Sequence, residues 1–139
     1  MEAPIKLAPF CYKGDDRPDI AQPFSKWSRT YATNAHICVR VPLRADAPRR
    51  NRPNAHRLFP SPPPITTPVK FIKGLPNGPV NLRGAVFDGK YLRLLARLPN
   101  LRAVPRARNR DAMYFSFDGG DGLLMPMNAT SSIDAELPK

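Results

Sequence analysis

Residues 81–127, NLRGAVFDGKYLRLLARLPNLRAVPRARNRDAMYFSFDGGDGLLMPM, decide the fold. Asp88 stands directly before KYLRLLARLP, where its short carboxylate can accept from free backbone N–H groups and meet the positive end of a helix dipole. A helix over 89–98 is expected, with Tyr91, Leu94, Leu95 and Leu98 at i, i+3, i+4, i+7 on one stripe and Lys90, Arg93 and Arg97 on another. Pro99 ends it, because the proline ring cannot join the helical ladder and disfavours helical geometry in the residue before it. Residues 112–118 then alternate, with Met113, Phe115 and Phe117 on one side and Tyr114 and Ser116 on the other, the period of a half-buried strand. Gly119, Gly120, Asp121 and Gly122 supply a tight reversal, and 123–127 returns as a second strand.

Outward from this unit, residues 28–43 hold a second pattern. Ile37, Val39 and Val41 alternate with His36, Cys38 and Arg40, which predicts a strand with one apolar face. The shorter run 29–33 precedes it, so a hairpin turning at Asn34 is expected. Residues 69–75 predict another short strand, and Ile5, Leu7 and Phe10 an extended edge segment among prolines. Between 44 and 68 neither period appears; Arg49, Arg50 and Arg52 crowd a proline-rich stretch that reads as a long mobile basic loop, with Leu58, Phe59 and Ile65 as the residues able to pin it back on the core. Residues 128–139 read as a flexible tail. The expected whole is one α+β domain over 1–127, a small antiparallel sheet with one main helix.

Charge bounds the function. Lys and Arg number 22 against 11 Asp and Glu, a net charge of +11, which points to a polyanion as partner. Two classes fit: the backbone of DNA or RNA, alone or in a nucleoprotein complex, and an acidic protein surface. Lys90, Arg93 and Arg97 with the flanking Arg83, Arg102, Arg106 and Arg108 are the candidate contacts, joined by Arg49, Arg50 and Arg52 of the loop. Trp27, Phe59 and Tyr114 are candidate base-stacking rings, with the core as the commoner place for a lone tryptophan beside a strand.

Catalysis is not expected. Cys38 with His36 or His56 is the nearest approach to a nucleophile and base, and alternate residues on one strand point the same way without aiming at each other. Cys11, His36, Cys38 and His56 lack metal-ligand spacing, and no cofactor motif is present. No apolar run approaches the roughly 20 residues that span a bilayer, and the expected location is the cytoplasm, where the two cysteines are thiols.

The order of a strand, FDGKYLRLL, further strands, a glycine turn and LLMPM resembles the last domain of the bacterial DNA polymerase sliding clamp. Phe87, Tyr91, Leu92, Leu94, Leu95, Met125, Pro126 and Met127 carry the likeness. Ala32, Thr33 and His36 match the clamp family's Ala-Thr-Asp-Gly-His hairpin, with Asn34 and Ala35 in place of Asp-Gly. The first half lacks an equivalent of the helix, so the resemblance is to a domain of two half-domains, partial in its first and interrupted by the Arg/Pro loop. It implies that Lys90, Arg93 and Arg97 face DNA, as clamp helices line the ring's inner wall. It also implies that Leu124, Met125 and Met127 help form a groove for short peptides, against a plain packing role for the same strand. The functional expectation is a non-catalytic basic binding protein of phage or mobile-element type. The alternative is an inhibitor or adaptor that occupies an acidic or nucleic-acid-binding surface of a larger enzyme, and self-association is compatible with either.

Overall fold

In the computed structural model, which describes residues 5–50 and 55–138, the elements follow in the order β1 (Phe24–Lys26), β2 (Arg29–Thr33), β3 (Ile37–Pro42), β4 (Thr67–Pro68), β5 (Pro79–Leu82), β6 (Ala85–Asp88), α1 (Gly89–Leu95), β7 (Arg102–Ala103), β8 (Met113–Phe117) and β9 (Gly120–Leu124). Seven strands form one antiparallel sheet in the order β1-β2-β3-β9-β8-β7-β4, and β5 pairs with β6 as a separate hairpin. The small α+β expectation therefore holds.

Asp88 caps α1 as its sequence context requires, accepting from the Lys90 N–H at 3.1 Å and from the Gly78 N–H at 3.0 Å. The α-helix stops at Leu95, three residues short of expectation. The chain then tightens, with Leu98 N–H donating to the Leu95 carbonyl at 2.9 Å. The buried stripe also differs: Leu92, Leu95 and Leu98 face the core, while Tyr91 and Leu94 are half-buried at its edge. A tyrosine in the fully buried row would have to satisfy its hydroxyl there. At the edge, that hydroxyl accepts from Asn34 Nδ2 at 3.4 Å.

Both faces of the large sheet are covered, which corrects the reading of β3 as a strand with one apolar face. Val39, Phe115 and Leu124 pack on one side with Leu92, Leu95 and Phe87. Cys38, Tyr114 and Leu123 pack on the other with Phe24, Tyr31 and Phe59. Phe59 comes from the stretch read as a mobile loop, which is anchored at separate points while Leu58 and Ile65 remain exposed. Ser25 N–H donates to the Pro48 carbonyl at 2.7 Å, Arg50 N–H to the Ser25 carbonyl at 2.9 Å, and Phe59 is buried. Isolated apolar residues among prolines show no period, yet one of them, Phe59, still seals a sheet face.

Turns differ in detail. At the β2–β3 reversal Ala35 takes the left-handed conformation, φ 79°, while Asn34 serves through its side chain, Oδ1 accepting from the His36 and Ile37 N–H groups at 2.9 and 3.0 Å. In the β8–β9 hairpin only Asp118 and Gly119 form the turn, because Phe117 already pairs with Gly120. Gly119 supplies the positive φ of 98°. Gly122 sits inside β9 opposite Phe115, and a Cβ there would run into both the Phe115 ring and the Cys38 carbonyl.

The segment after β9 is not a free tail. Asn81 N–H donates to the Ile133 carbonyl at 2.7 Å, Ile72 N–H to the Ala135 carbonyl at 2.8 Å and Leu137 N–H to the Lys70 carbonyl at 2.8 Å, so this strip lies between β5 and residues 70–72. Ala135 is fully buried within it. The strand expected over 69–75 is reduced to an isolated bridge between Phe71 and Glu136, its pairing taken by this strip.

Gly122→Ala is expected to cost about 1–3 kcal/mol through the overlap it forces with ring and backbone. A shift of the urea unfolding midpoint measures it; an unchanged midpoint would mean that the ring is free to move aside.

Candidate nucleic-acid interface

The cations singled out in the sequence divide into three groups by what their side chains touch. Arg83, at the β5–β6 turn with φ 52°, is internal. Its side chain is 8% exposed and forms a two-pronged pair with Glu136, Nε to Oε1 at 2.9 Å and Nη2 to Oε2 at 2.7 Å. Its Nη1 donates to Thr67 Oγ1 and to the carbonyls of Ala103 and Val104 at 2.7 to 3.1 Å, and Nη2 also reaches the Pro68 carbonyl at 2.8 Å. All three guanidinium nitrogens are committed to the fold, which removes Arg83 from the candidate contacts.

A second group surrounds α1. Lys90 and Arg97 are exposed and line a groove of about 630 Å³ between α1 and the tip of the β2–β3 hairpin. Lys13, Asn34, His36 and Tyr91 also line it, and Cys11, Tyr12 and Leu94 contribute to its walls. The floor is ordered by stacking: the His36 and Tyr91 rings lie 5.9 Å apart at 22°, and Lys90 Nζ sits 5.0 Å from the centre of the Tyr91 ring. Neither Lys90 nor Arg97 has an acid partner among the described residues. Arg93, expected beside them, is drawn around the helix, donating to the Leu75 carbonyl at 2.8 Å and to Asn77 Oδ1. With Arg97 it lines a second depression, of about 780 Å³, whose wall of Ile72, Leu75 and Leu137 is apolar.

The remaining candidates lie elsewhere. Arg102 is exposed on β7, between β8 and the edge strand β4, its Nη2 bound to the Thr66 carbonyl at 2.8 Å. Arg106 and Arg108 border a depression with Pro60, Pro64 and Tyr114, against the face that the proline-rich segment covers. Arg49 donates to the Trp27 carbonyl at 3.4 Å, Arg50 lies alongside β1, and Arg52 is outside the described residues. The nine candidate cations among the described residues thus form no single patch. Of the peptide-groove residues, Leu124 is fully buried and unavailable, Met127 is half-buried, and Met125 is exposed beyond the end of β9.

The stacking rings are sorted opposite to expectation. Phe59 and Tyr114 are core residues, whereas Trp27 is 69% exposed at the β1–β2 turn. Its turn carries no glycine or asparagine, so nothing in the local residue types marked it. Lys13 and Asn34 were equally silent, because only the fold brings them to α1.

The four thiols and imidazoles form no single cluster, although Cys11 and His36 both line the groove at α1. Cys38 is buried beneath the proline-rich segment, Cys11 lies in the opposite core donating to the Leu7 carbonyl, and His36 is stacked on Tyr91 in the open. His36 and Cys38 therefore do not share a side of the strand, because the turn geometry at Ala35 swings His36 toward α1. Among the described residues, no group of three His, Cys, Asp or Glu side chains is placed to hold a metal ion. Burial pushes the Cys38 thiol up to about 12 and the Cys11 thiol up to about 11. No helix of the described residues is long and apolar enough to cross a membrane.

Two outcomes follow from these environments. Arg83→Met is expected to lower stability by about 3 kcal/mol, since it leaves Glu136 and several carbonyls unpaired. Lys90→Ala and Arg97→Ala should each stay within about 0.5 kcal/mol of the parent, all read from urea midpoints. Near neutral pH, an aromatic disulfide reagent should label neither cysteine until denaturant opens the core; rapid labelling of the folded chain would contradict the assigned burial. No protein-family model, no curated protein and no solved structure matches this chain.

Proposed function

We propose that this chain is a non-catalytic cytoplasmic protein that docks on the phosphate backbone of a nucleic acid, with Lys90 and Arg97 at the centre of the contact and Lys13 beside them. The observation that carries the reading is a contrast among cations. Arg40 and Arg83 are neutralised by Asp121 and Glu136, while Lys90 in the first turn of α1 and Arg97, two residues past its end, stand exposed without an acid partner among the described residues. Contacts of such cations to phosphates position a partner without reading its sequence. The net charge of +11 adds long-range attraction.

The succession β6-α1-β7-β8-β9, a strand, a helix and three strands, supports the likeness to half of a sliding-clamp domain. In that likeness α1 is the wall turned toward DNA, and encirclement takes several copies of the chain.

Fluorescence anisotropy of a labelled oligonucleotide across a salt series tests the proposal. Affinity should fall linearly in a log–log plot, and the Lys90→Glu, Arg97→Glu double variant should flatten the slope by roughly two. Absence of binding to DNA and RNA at low salt would sink it, and retention of an acidic protein under the same conditions would assign the surface to that class of partner.

A further inference from the structure

Trp27 occupies a position that neither packing nor backbone preference explains. It is the first residue of the two-residue turn between Lys26 and Arg29, and its φ of 56° lies in the left-handed region, where a bulky side chain is strained and glycine or asparagine is the usual occupant. Its indole buries little, being 69% exposed. A residue that costs strain and contributes little to the core is retained for what its surface does.

The surroundings define that surface. The indole leans on the His56 imidazole, ring centres 4.5 Å apart at 47°, so it is held in place rather than swinging freely. Burial first, then the charges of Lys26 and Arg57, keep the His56 imidazole below its ordinary value, leaving it neutral near neutral pH. Lys26 Nζ lies 5.9 Å from the indole centre, and Arg49 is tied to the Trp27 carbonyl at 3.4 Å. Leu58, also 69% exposed, follows in the same 3-10 turn as His56. A fixed, solvent-facing aromatic ring is thus bordered by Lys26, Arg49 and Arg57.

We infer that Trp27 is a stacking platform for an unpaired base of a single-stranded nucleic acid, with Lys26, Arg49 and Arg57 meeting the adjoining phosphates. The chemistry favours a single strand because an open base presents its flat face, whereas a duplex hides its faces within the stack. An acidic peptide would satisfy the cations but leave the indole without a flat partner. The inference rests on the proposed nucleic-acid reading and deepens it by naming the strand state and a second point of contact, separate from the groove at α1.

Trp27 is the one tryptophan in the chain, so its fluorescence reports on this site alone. Titration with a thymidine oligonucleotide of about a dozen residues, long enough for one binding surface, should quench it, while an abasic strand of equal charge and a duplex should not. Trp27→Gly keeps the turn, since glycine takes the positive φ without strain. It should weaken binding of a labelled thymidine strand by roughly tenfold or more, with Trp27→Tyr restoring most of the loss. Binding without quenching, equal quenching by the abasic strand, or full affinity in Trp27→Gly would overturn the platform while the α1 contact stands. Failure of every nucleic acid to bind would overturn both.

Discussion

The guanidinium of Arg83 is the joint on which the architecture depends. The β5–β6 hairpin shares no ladder with the large sheet, and the strip after β9 belongs to neither. Arg83 reaches all of them from one turn: Thr67 and Pro68 of β4, Ala103 at the end of β7, and Glu136 of the final strip. The planar fork suits this role because its donors point in fixed directions, and a lysine would supply one point charge in their place. Its desolvation is offset by the Glu136 carboxylate and by carbonyls that would otherwise be unpaired.

The large sheet is the second constraint. Covering both faces takes apolar residues from distant stretches, and the face opposite α1 is closed by Phe24, Phe59 and Tyr31 over Tyr114 and Leu123. A charged pair enters this layer: Arg40 and Asp121 face each other across β3 and β9, with Nε to Oδ1 at 2.6 Å and Nη2 to Oδ2 at 3.0 Å. Tyr114 donates its hydroxyl to Asp121 at 2.6 Å, and Phe59 lies 3.9 Å beneath the Arg40 guanidinium. Burial first, and then the bond to Asp121, hold the Tyr114 phenol well above its ordinary value. The polar atoms are thereby matched inside an otherwise apolar layer.

The same economy of partners separates structural from available charge. Where Arg40 and Arg83 point into the fold, an acid meets each; Lys90 on α1 and Lys26 at the β1–β2 turn have the rings of Tyr91 and Trp27 beside them. Cations next to aromatic rings suit an anionic partner with flat bases, which is the ground on which the α1 groove and the Trp27 turn are proposed to serve one function.

The sequence by itself determined the elements whose signal is local. The Asp88 cap, the start of α1, the alternation of β3 and β8 and the reversal at Gly119 depend on neighbours a few residues away, and each was legible. It also fixed the charge excess and hence the class of partner worth testing. What only the tertiary structure decided is which side of each element faces another. α1 turned Leu92 inward and left Tyr91 at the groove because Leu buries without a polar atom. Arg83 went inside because Glu136, fifty-three positions along, came to meet it. Residues 131–137 docked because the edge at Asn81 and Ile72 needed partners for its backbone groups, and Trp27 stands outside with its indole against His56, a residue twenty-nine positions along. These outcomes follow from contacts between residues far apart in the chain, which no periodicity or composition records.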